Sequence, residues 1–366
     1  MTTLGSLPTP TLVVDAGAFE RNLATMSSTR PGTSLRPHVK AHKCTALATR
    51  QLAIGHRSFT CATPREVVGM AELGIGDDLL LANETVDPIR LRAMADVERS
   101  TGIAVTVAID SDETLNAAAA AGVRHVLIDV NVGLPRCGVA PERAADLAAR
   151  AADAGLVVRG VMGYEGHLMA VADRSEQRAK VLESMSVLVQ CAHDVRTAVG
   201  EGASVVSAGG TGTFDLYDPT HPVLGSVGEV QAGSYALMDT HYGSLDLPFE
   251  QALFVVGTVI SHTKTSHAAW SVIDVGLKSL GMDHGNPTID GSTVWFCSDE
   301  HTTYSASDRP DASTPSPTRI GSRVLVRPAH VDPTVAMHAA MHVVDDASLG
   351  SDAQVLETWP VDLRGW

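Results

Sequence analysis

The segment Arg36-Pro37-His38-Val39-Lys40-Ala41-His42-Lys43 sets a lysine at the end of the first predicted strand. A lysine is costly to bury unless it is neutralised or used covalently. Burial lowers its pKa and frees the amine to attack a carbonyl, so Lys40 can hold an aldehyde cofactor as a Schiff base. Arg36, His38 and Lys40 would alternate onto one face of an extended strand. Lys43 falls where the next helix should begin and reads as an ordinary surface lysine, and His38 and His42 read as packing or hydrogen-bonding histidines.

Two glycine-rich stretches offer backbone donors. Gly209-Gly210-Thr211-Gly212-Thr213 joins a strand to a turn, so its amides and the Thr211 hydroxyl can cradle a phosphate. Gly233-Ser234, after the next strand, can supply a second set of amides. Arg136, in a Pro-Arg-Cys-Gly turn, can hydrogen-bond an anionic oxygen on a cofactor ring. Far along the chain, His330-Val331-Asp332-Pro333-Thr334 follows a strand. At i and i+2 in extended chain, its imidazole and carboxylate point the same way and suit a divalent ion. Mn²⁺ is expected first, with Zn²⁺, Mg²⁺ or Co²⁺ as alternatives. His338 and His342, at i and i+4 on a predicted helix, form a rival pair, and Glu300-His301 is a further acid–imidazole pair.

Eight strand candidates must position these residues: Leu35–Lys40, Ser58–Ala62, Asp78–Ala82, Ile103–Ile109, His125–Val130, Val157–Gly163, Val205–Ala208 and Val230–Ala232. Helical patterns separate them, several beginning at Pro or Asp and several ending before Gly. Eight strands interleaved with helices predict a (β/α)8 barrel, with an open doubly wound sheet as the alternative. In such a barrel the active site lies at the C-terminal ends of the strands. Lys40, Arg136, Tyr164, Gly210-Thr211 and Gly233-Ser234 all fall at that rim. After Pro248 the texture turns to short β-rich runs, and Ser305–Thr318, rich in Ser, Asp and Pro, reads as a surface loop. The expected division is a barrel over residues 11–248 and a β-rich domain over 249–366 that carries His330 and Asp332. The extended N-terminus, residues 1–10 and on to Val14, is a candidate addition to its sheet.

The 366 residues exceed one small domain, and 44% hydrophobic with 19% charged residues is an ordinary globular mixture. A formal net charge of −15 argues against nucleic acid or an anionic membrane as partner. Five widely spaced cysteines fit reduced thiols better than a disulfide framework. No apolar run approaches the ~20 residues that a membrane span needs. A cytoplasmic protein is expected.

Taken together, Pro37-His38-Val39-Lys40-Ala41-His42-Lys43, Arg136-Cys137-Gly138-Val139, Gly209-Gly210-Thr211-Gly212, Gln231-Ala232-Gly233-Ser234-Tyr235-x-x-Met238-Asp239 and Pro328-x-His330-x-Asp332-Pro333-Thr334 resemble the metal-activated D-threonine aldolase and D-serine dehydratase family. This is a branch of the pyridoxal-phosphate enzymes with an alanine-racemase-like barrel and a C-terminal β domain. The resemblance implies that Lys40 bears the cofactor, that His330 and Asp332 bind the metal, and that Thr211, Gly233 and Ser234 bind the phosphate. It puts Arg136 near the ring hydroxyl and Tyr164 near the ring or its substrate imine, with Gly210 and Tyr235 in the same cofactor-binding motifs. Dehydratases of the family typically carry His-x-Cys at the metal, whereas D-threonine aldolases often carry His-x-Asp, so Asp332 points to an aldolase. Tyr164-Glu165-Gly166-His167 lacks the second aromatic of the dehydratases and leaves His167 as the leading candidate for the base. The expected substrate is a D-β-hydroxy-α-amino acid, cleaved to glycine and an aldehyde. Dehydration of D-serine or 3-hydroxyaspartate, racemisation, and non-catalytic pyridoxal-phosphate binding are the alternatives. The resemblance also implies a homodimer with shared sites.

Overall fold

A computed structural model of the chain describes residues 2–307 and 316–366. It divides into two compact units: residues 26–40, 47–233 and 363–366, and residues 1–25, 41–46 and 234–362. In chain order the elements are β1 (Thr11–Asp15), α1 (Ala16–Thr29), α2 (Thr45–Ala53), β2 (Ser58–Cys61), α3 (Pro64–Glu72), β3 (Asp78–Leu81), α4 (Pro88–Thr101), β4 (Ala104–Ile109), α5 (Asp112–Ala121), β5 (His125–Asp129), α6 (Ala144–Asp153), β6 (Val157–Met162), α7 (Arg174–Val199), β7 (Val205–Ala208) and β8 (Glu229–Val230). There follow β9 (Leu253–Lys264), β10 (Ala269–Ile273), β11 (Thr288–Ile289), β12 (Ser292–Cys297), β13 (Thr302–Ala306), β14 (Arg323–Arg327), α8 (Val331–Met337), β15 (Ala340–Val344) and β16 (Val355–Pro360).

The first unit is the expected (β/α)8-type barrel. Strands β2 to β8 form a seven-stranded parallel sheet in sequential order. The expected first strand, Leu35–Lys40, is not a regular strand. Leu35 bridges Val230 and His38 bridges Thr60, both in parallel. Arg36 N–H donates to the Val230 carbonyl at 2.9 Å, His38 N–H to Ala232 at 3.0 Å and Thr60 N–H to Pro37 at 2.9 Å. The segment is therefore a joint between the two sheet edges, and Pro37, which has no N–H to donate, limits its ladder. Val39–Ala41 then winds into a 3₁₀ turn.

Local chemistry starts and stops the helices as the sequence predicts. Thr63, Asp87, Ser111 and Asp173 cap α3, α4, α5 and α7 by accepting backbone N–H groups. Gly122 ends α5 in the left-handed region at φ 82°.

Polar floor and apolar layer are stacked inside the barrel. Buried Arg36 pairs with Glu229 at 2.7 Å and Asp78 at 2.9 Å. Arg159 pairs with Asp78 and donates to Thr106 Oγ1 at 2.6 Å. These residues come from the starts of their strands or close to them, so Arg36 belongs to the floor and not to the rim. Two residues further along, Leu80 and Ala108 join Leu127 and Met162 in an apolar cluster. In β3 and β4 the period of two sets floor and layer residues on one face, whereas in β6 Arg159 and Met162 are three positions apart, across the register shift between β5 and β6.

The second unit is a nine-stranded sheet with the path β12-β13-β10-β9-β1-β15-β16, and β14 pairs with β9 and β11. β1 pairs antiparallel with β9 and parallel with β15. The N-terminal segment thus lies between strands from the C-terminal third, and the boundaries at 11 and 248 shift accordingly. Residues 234–248 also belong here: Tyr235 packs its ring 5.7 Å from Phe249, and Ala252 N–H donates to the Leu237 carbonyl at 2.9 Å. β13 covers Ser305 and Ala306, which were expected in a loop, and residues 308–315 of that loop lie outside the described residues. Among the described residues no helix is long and apolar enough to cross a membrane, and no disulfide forms.

Candidate active site

Lys40 is half-buried in the 3₁₀ turn that follows the joint, and its N–H approaches His38 Nδ1 at 3.4 Å. Elsewhere in the same unit the expected residues cluster after β5, β6 and β7. The exposed Arg136 guanidinium lies 5.3 Å over the Tyr164 ring, a cation–π contact. A Cβ on Gly210 would stand 2.8 Å from Met169 Sδ and 3.6 Å from Tyr164 Cε2, so the glycine turn lies directly against Tyr164. His167 is exposed on the turn Gly166–Leu168 and rests on Gly133, where a Cβ would come within 3.1 Å of its ring. Gly210, Thr211 and Gly233 are buried. The Asp129 carboxyl, at the end of β5, is pushed well above the usual carboxylate range by burial and by neighbouring Glu84, against the opposing charge of Arg136.

Glu165 holds the glycine turn. Its side chain is fully buried, and its carboxylate accepts the Gly209 N–H at 3.2 Å, the Thr213 hydroxyl at 2.8 Å and the Tyr217 hydroxyl. Burial and the charge of Glu165 push the Tyr217 phenol well up, which keeps it a donor. Thr213 Oγ1 in turn accepts the Gly210 N–H at 3.3 Å.

In the second unit His330 and Asp332 come together, for a reason different from the expected one. His330 is extended, at φ −143° and ψ 119°, but Asp332 lies in the first turn of α8. The capping conformation still brings His330 Nε2 to 3.7 Å from Asp332 Oδ2. Asp239, fully buried, accepts the Val331 N–H at 2.9 Å and so fixes the turn between them. Ser234 Oγ donates to Asp332 Oδ2 at 3.4 Å. The rival pair dissolves: His338 ends α8 and faces the Ser279 carbonyl, whereas His342 lies in β15 and faces Thr358 Oγ1. Glu300 is engaged on the surface by Lys278 at 2.9 Å. Tyr235 is part of the packed interior of this unit.

Residues 14–241 match the family described as alanine racemase, N-terminal domain, and residues 252–344 match a putative serine dehydratase domain. A D-threonine aldolase from an Arthrobacter species is 33% identical across 99% of this chain and 94% of its own length. The chain belongs to the D-threonine aldolase and D-serine dehydratase family. The crystal structure of D-threonine aldolase from Filomicrobium marinum superposes with a TM-score of 0.86 at 33% identity, covering 100% of this chain and 97% of that one. The D-threo-3-hydroxyaspartate dehydratase of a Delftia species superposes with a TM-score of 0.85 at 25% identity, covering 100% of both chains.

The residues present fit the two groups that this family implies. A buried glycine turn with a pinned backbone suits the phosphate of pyridoxal phosphate, and Lys40 supplies an amine on a short, anchored turn. The facing imidazole and carboxylate of His330 and Asp332 are a mixed nitrogen and oxygen donor set that suits a divalent ion, with a gap too long for a hydrogen bond. Glu165 was visible only as part of the Tyr164–His167 stretch, because its partners lie 44 to 52 residues later. Asp239 was visible only as the last residue of the motif that begins at Gln231, and its partner Val331 lies 92 residues later.

Replacing Glu165 by alanine leaves three donors buried without their acceptor, at about 1–3 kcal/mol each. We expect the variant to lose roughly 3 kcal/mol or more of stability and to bind pyridoxal phosphate more weakly. Urea unfolding and a cofactor titration followed by absorbance check both, and an unchanged cofactor affinity would remove Glu165 from the support of the phosphate turn.

Proposed function

We propose that this protein is a pyridoxal-phosphate- and divalent-metal-dependent aldolase. It cleaves D-threonine-like D-β-hydroxy-α-amino acids to glycine and an aldehyde. The observation that carries this reading is the His330–Asp332 pair, an imidazole facing a carboxylate where the dehydratases of the family typically have a thiol. The D-threonine aldolases to which the chain is similar support it.

When bound, pyridoxal phosphate supplies a sink for the electrons of the bond broken at the substrate Cα, and the divalent ion supplies positive charge to the β-oxygen. In this reading Lys40 holds the cofactor covalently through Nζ. Gly210, Thr211, Gly233 and Ser234 bind its phosphate through backbone and hydroxyl donors, beside Tyr235. Arg136 donates to the ring hydroxyl, and Tyr164 orients the ring from the position where it also supports the Arg136 guanidinium. His330 and Asp332 ligate the ion, Mn²⁺ first. His167, exposed and able to reach solvent, takes the proton of the β-hydroxyl directly or through a water. The proposal includes a cytoplasmic homodimer with shared sites.

The second reading is dehydration of D-serine or 3-hydroxyaspartate, favoured by the full-length likeness to the Delftia dehydratase. The two differ in which bond at the substrate breaks. Incubation of the holoenzyme and Mn²⁺ with D-threonine, D-serine and D-3-hydroxyaspartate separates them by product. Glycine with an aldehyde is the expected result, and a 2-oxo acid with ammonia as the only products would replace aldolase by dehydratase.

A further inference from the structure

The imidazole of His330 is bracketed by two carboxylates, one at each ring nitrogen. Asp283 Oδ2 lies 2.8 Å from Nδ1, and Asp332 Oδ2 lies 3.7 Å from Nε2. The two contacts differ in kind. A neutral imidazole has one N–H and one lone pair, and the partner of one nitrogen sets the role of the other. At 2.8 Å the Nδ1–H donates to Asp283, with no room for an ion between them. Nε2 then carries the lone pair, and it is the nitrogen that faces Asp332.

Asp283 owes its place to the backbone. Two residues earlier, Gly281 forms an antiparallel bridge with His330. The Gly281 N–H donates to Thr334 Oγ1 at 2.9 Å, and that hydroxyl donates to the His330 carbonyl at 2.7 Å. A Cβ on Gly281 would stand 2.3 Å from Pro333 Cγ, so glycine is what allows the two segments this close an approach. The next residue, His284, stacks on His330 with ring centroids 4.0 Å apart and planes 10° apart. The His284 ring in turn packs 4.2 Å from that of His241. The stack and the hydrogen bond together oppose rotation of the His330 ring.

We propose that Asp283 is a positioning residue for the metal: it fixes the tautomer and orientation of His330 so that Nε2 is presented to the ion beside Asp332. Carboxylates behind metal-ligating histidines act in this way, and their loss typically lowers metal affinity about 10- to 100-fold. The inference rests on the proposal that His330 and Asp332 are ligands. The three donor atoms of Asp283, His284 and His330 also lie within 4.8 Å of one another, which makes direct ligation by Asp283 the competing arrangement.

The test is Mn²⁺ binding to the full-length, cofactor-loaded protein, measured by competition with a chromophoric chelator and thus without turnover. Asp283→Ala is expected to raise the Mn²⁺ dissociation constant about 10- to 100-fold. Asp283→Asn, which keeps an oxygen to accept the Nδ1–H, should recover part of the loss, and His330→Ala should abolish specific binding. Wild-type affinity in Asp283→Ala, with binding lost in His330→Ala, overturns this inference and leaves the metal pair standing. Wild-type affinity in His330→Ala overturns the metal pair itself. Binding abolished in Asp283→Ala as completely as in His330→Ala makes Asp283 a ligand and overturns the positioning role.

Discussion

Lys40→Ala is expected to lose turnover by a factor on the order of 10⁴ or more, the scale seen when a covalent catalytic group is removed. The variant should also lack the visible colour that bound pyridoxal phosphate gives the wild type. Lys40 is half-buried and stands on a turn held by the joint hydrogen bonds of Arg36, His38 and Thr60, so truncating its side chain removes an amine without disturbing the backbone that carries it. Absorbance of the purified variant and glycine release from D-threonine check the prediction. A wild type that stays colourless with added pyridoxal phosphate would defeat the whole cofactor reading. The shared-site homodimer can be examined with the same variant: mixed with His330→Ala, it should regain part of the activity through hybrid dimers after subunit exchange.

Asp78→Ala is expected to have the largest effect on stability. The mutation removes the carboxylate that serves both Arg36, 3% exposed, and Arg159, leaving Glu229 to face Arg36 alone. Breaking a buried pair from one side costs about 3–5 kcal/mol. The same network predicts the pH dependence. Burial alone would raise the Asp78 carboxyl, but the hydrogen bonds and charges of Arg159 and Arg36 outweigh it and hold the group well below the usual carboxylate range. A depressed folded pKa gives stability that is fully present above the unfolded value of about 3.9 and is lost as pH falls through the folded one. Wild type should therefore lose stability below about pH 4, and Asp78→Asn should be weaker at neutral pH with a flatter acid limb. Urea unfolding at several pH values measures this, and parallel acid limbs for the two proteins would show that Asp78 is not the group responsible.

Local patterns carried the barrel well and the joint poorly. Strands β2 to β8 fall within a residue or two of their expected limits, because short β-rich runs and capping residues act over a few positions. Leu35–Lys40 reads as strand by the same criteria, yet Pro37 and the turn at Val39–Ala41 make it a joint. His338 and His342 had helical spacing, but pairing of Ala340–Val344 with both β1 and β16 draws that segment into the sheet. Asp332 was expected in extended chain and lies in a helix turn, because the buried Asp239 carboxylate takes the Val331 N–H.

By itself the sequence determined the βα rhythm, the helix limits, the family and the residue types available for chemistry, since each depends on neighbours within a few positions or on motifs written contiguously. Only the tertiary structure decided which side chains meet. It put β1 between β9 and β15, made Arg36 part of a buried floor, set Glu165 beneath the glycine turn and placed Asp283 on His330. Each of these contacts joins residues separated by tens to hundreds of positions. They form because a buried carboxylate, guanidinium or strand edge must find a partner once water is excluded, and the local sequence does not record which distant group answers that need.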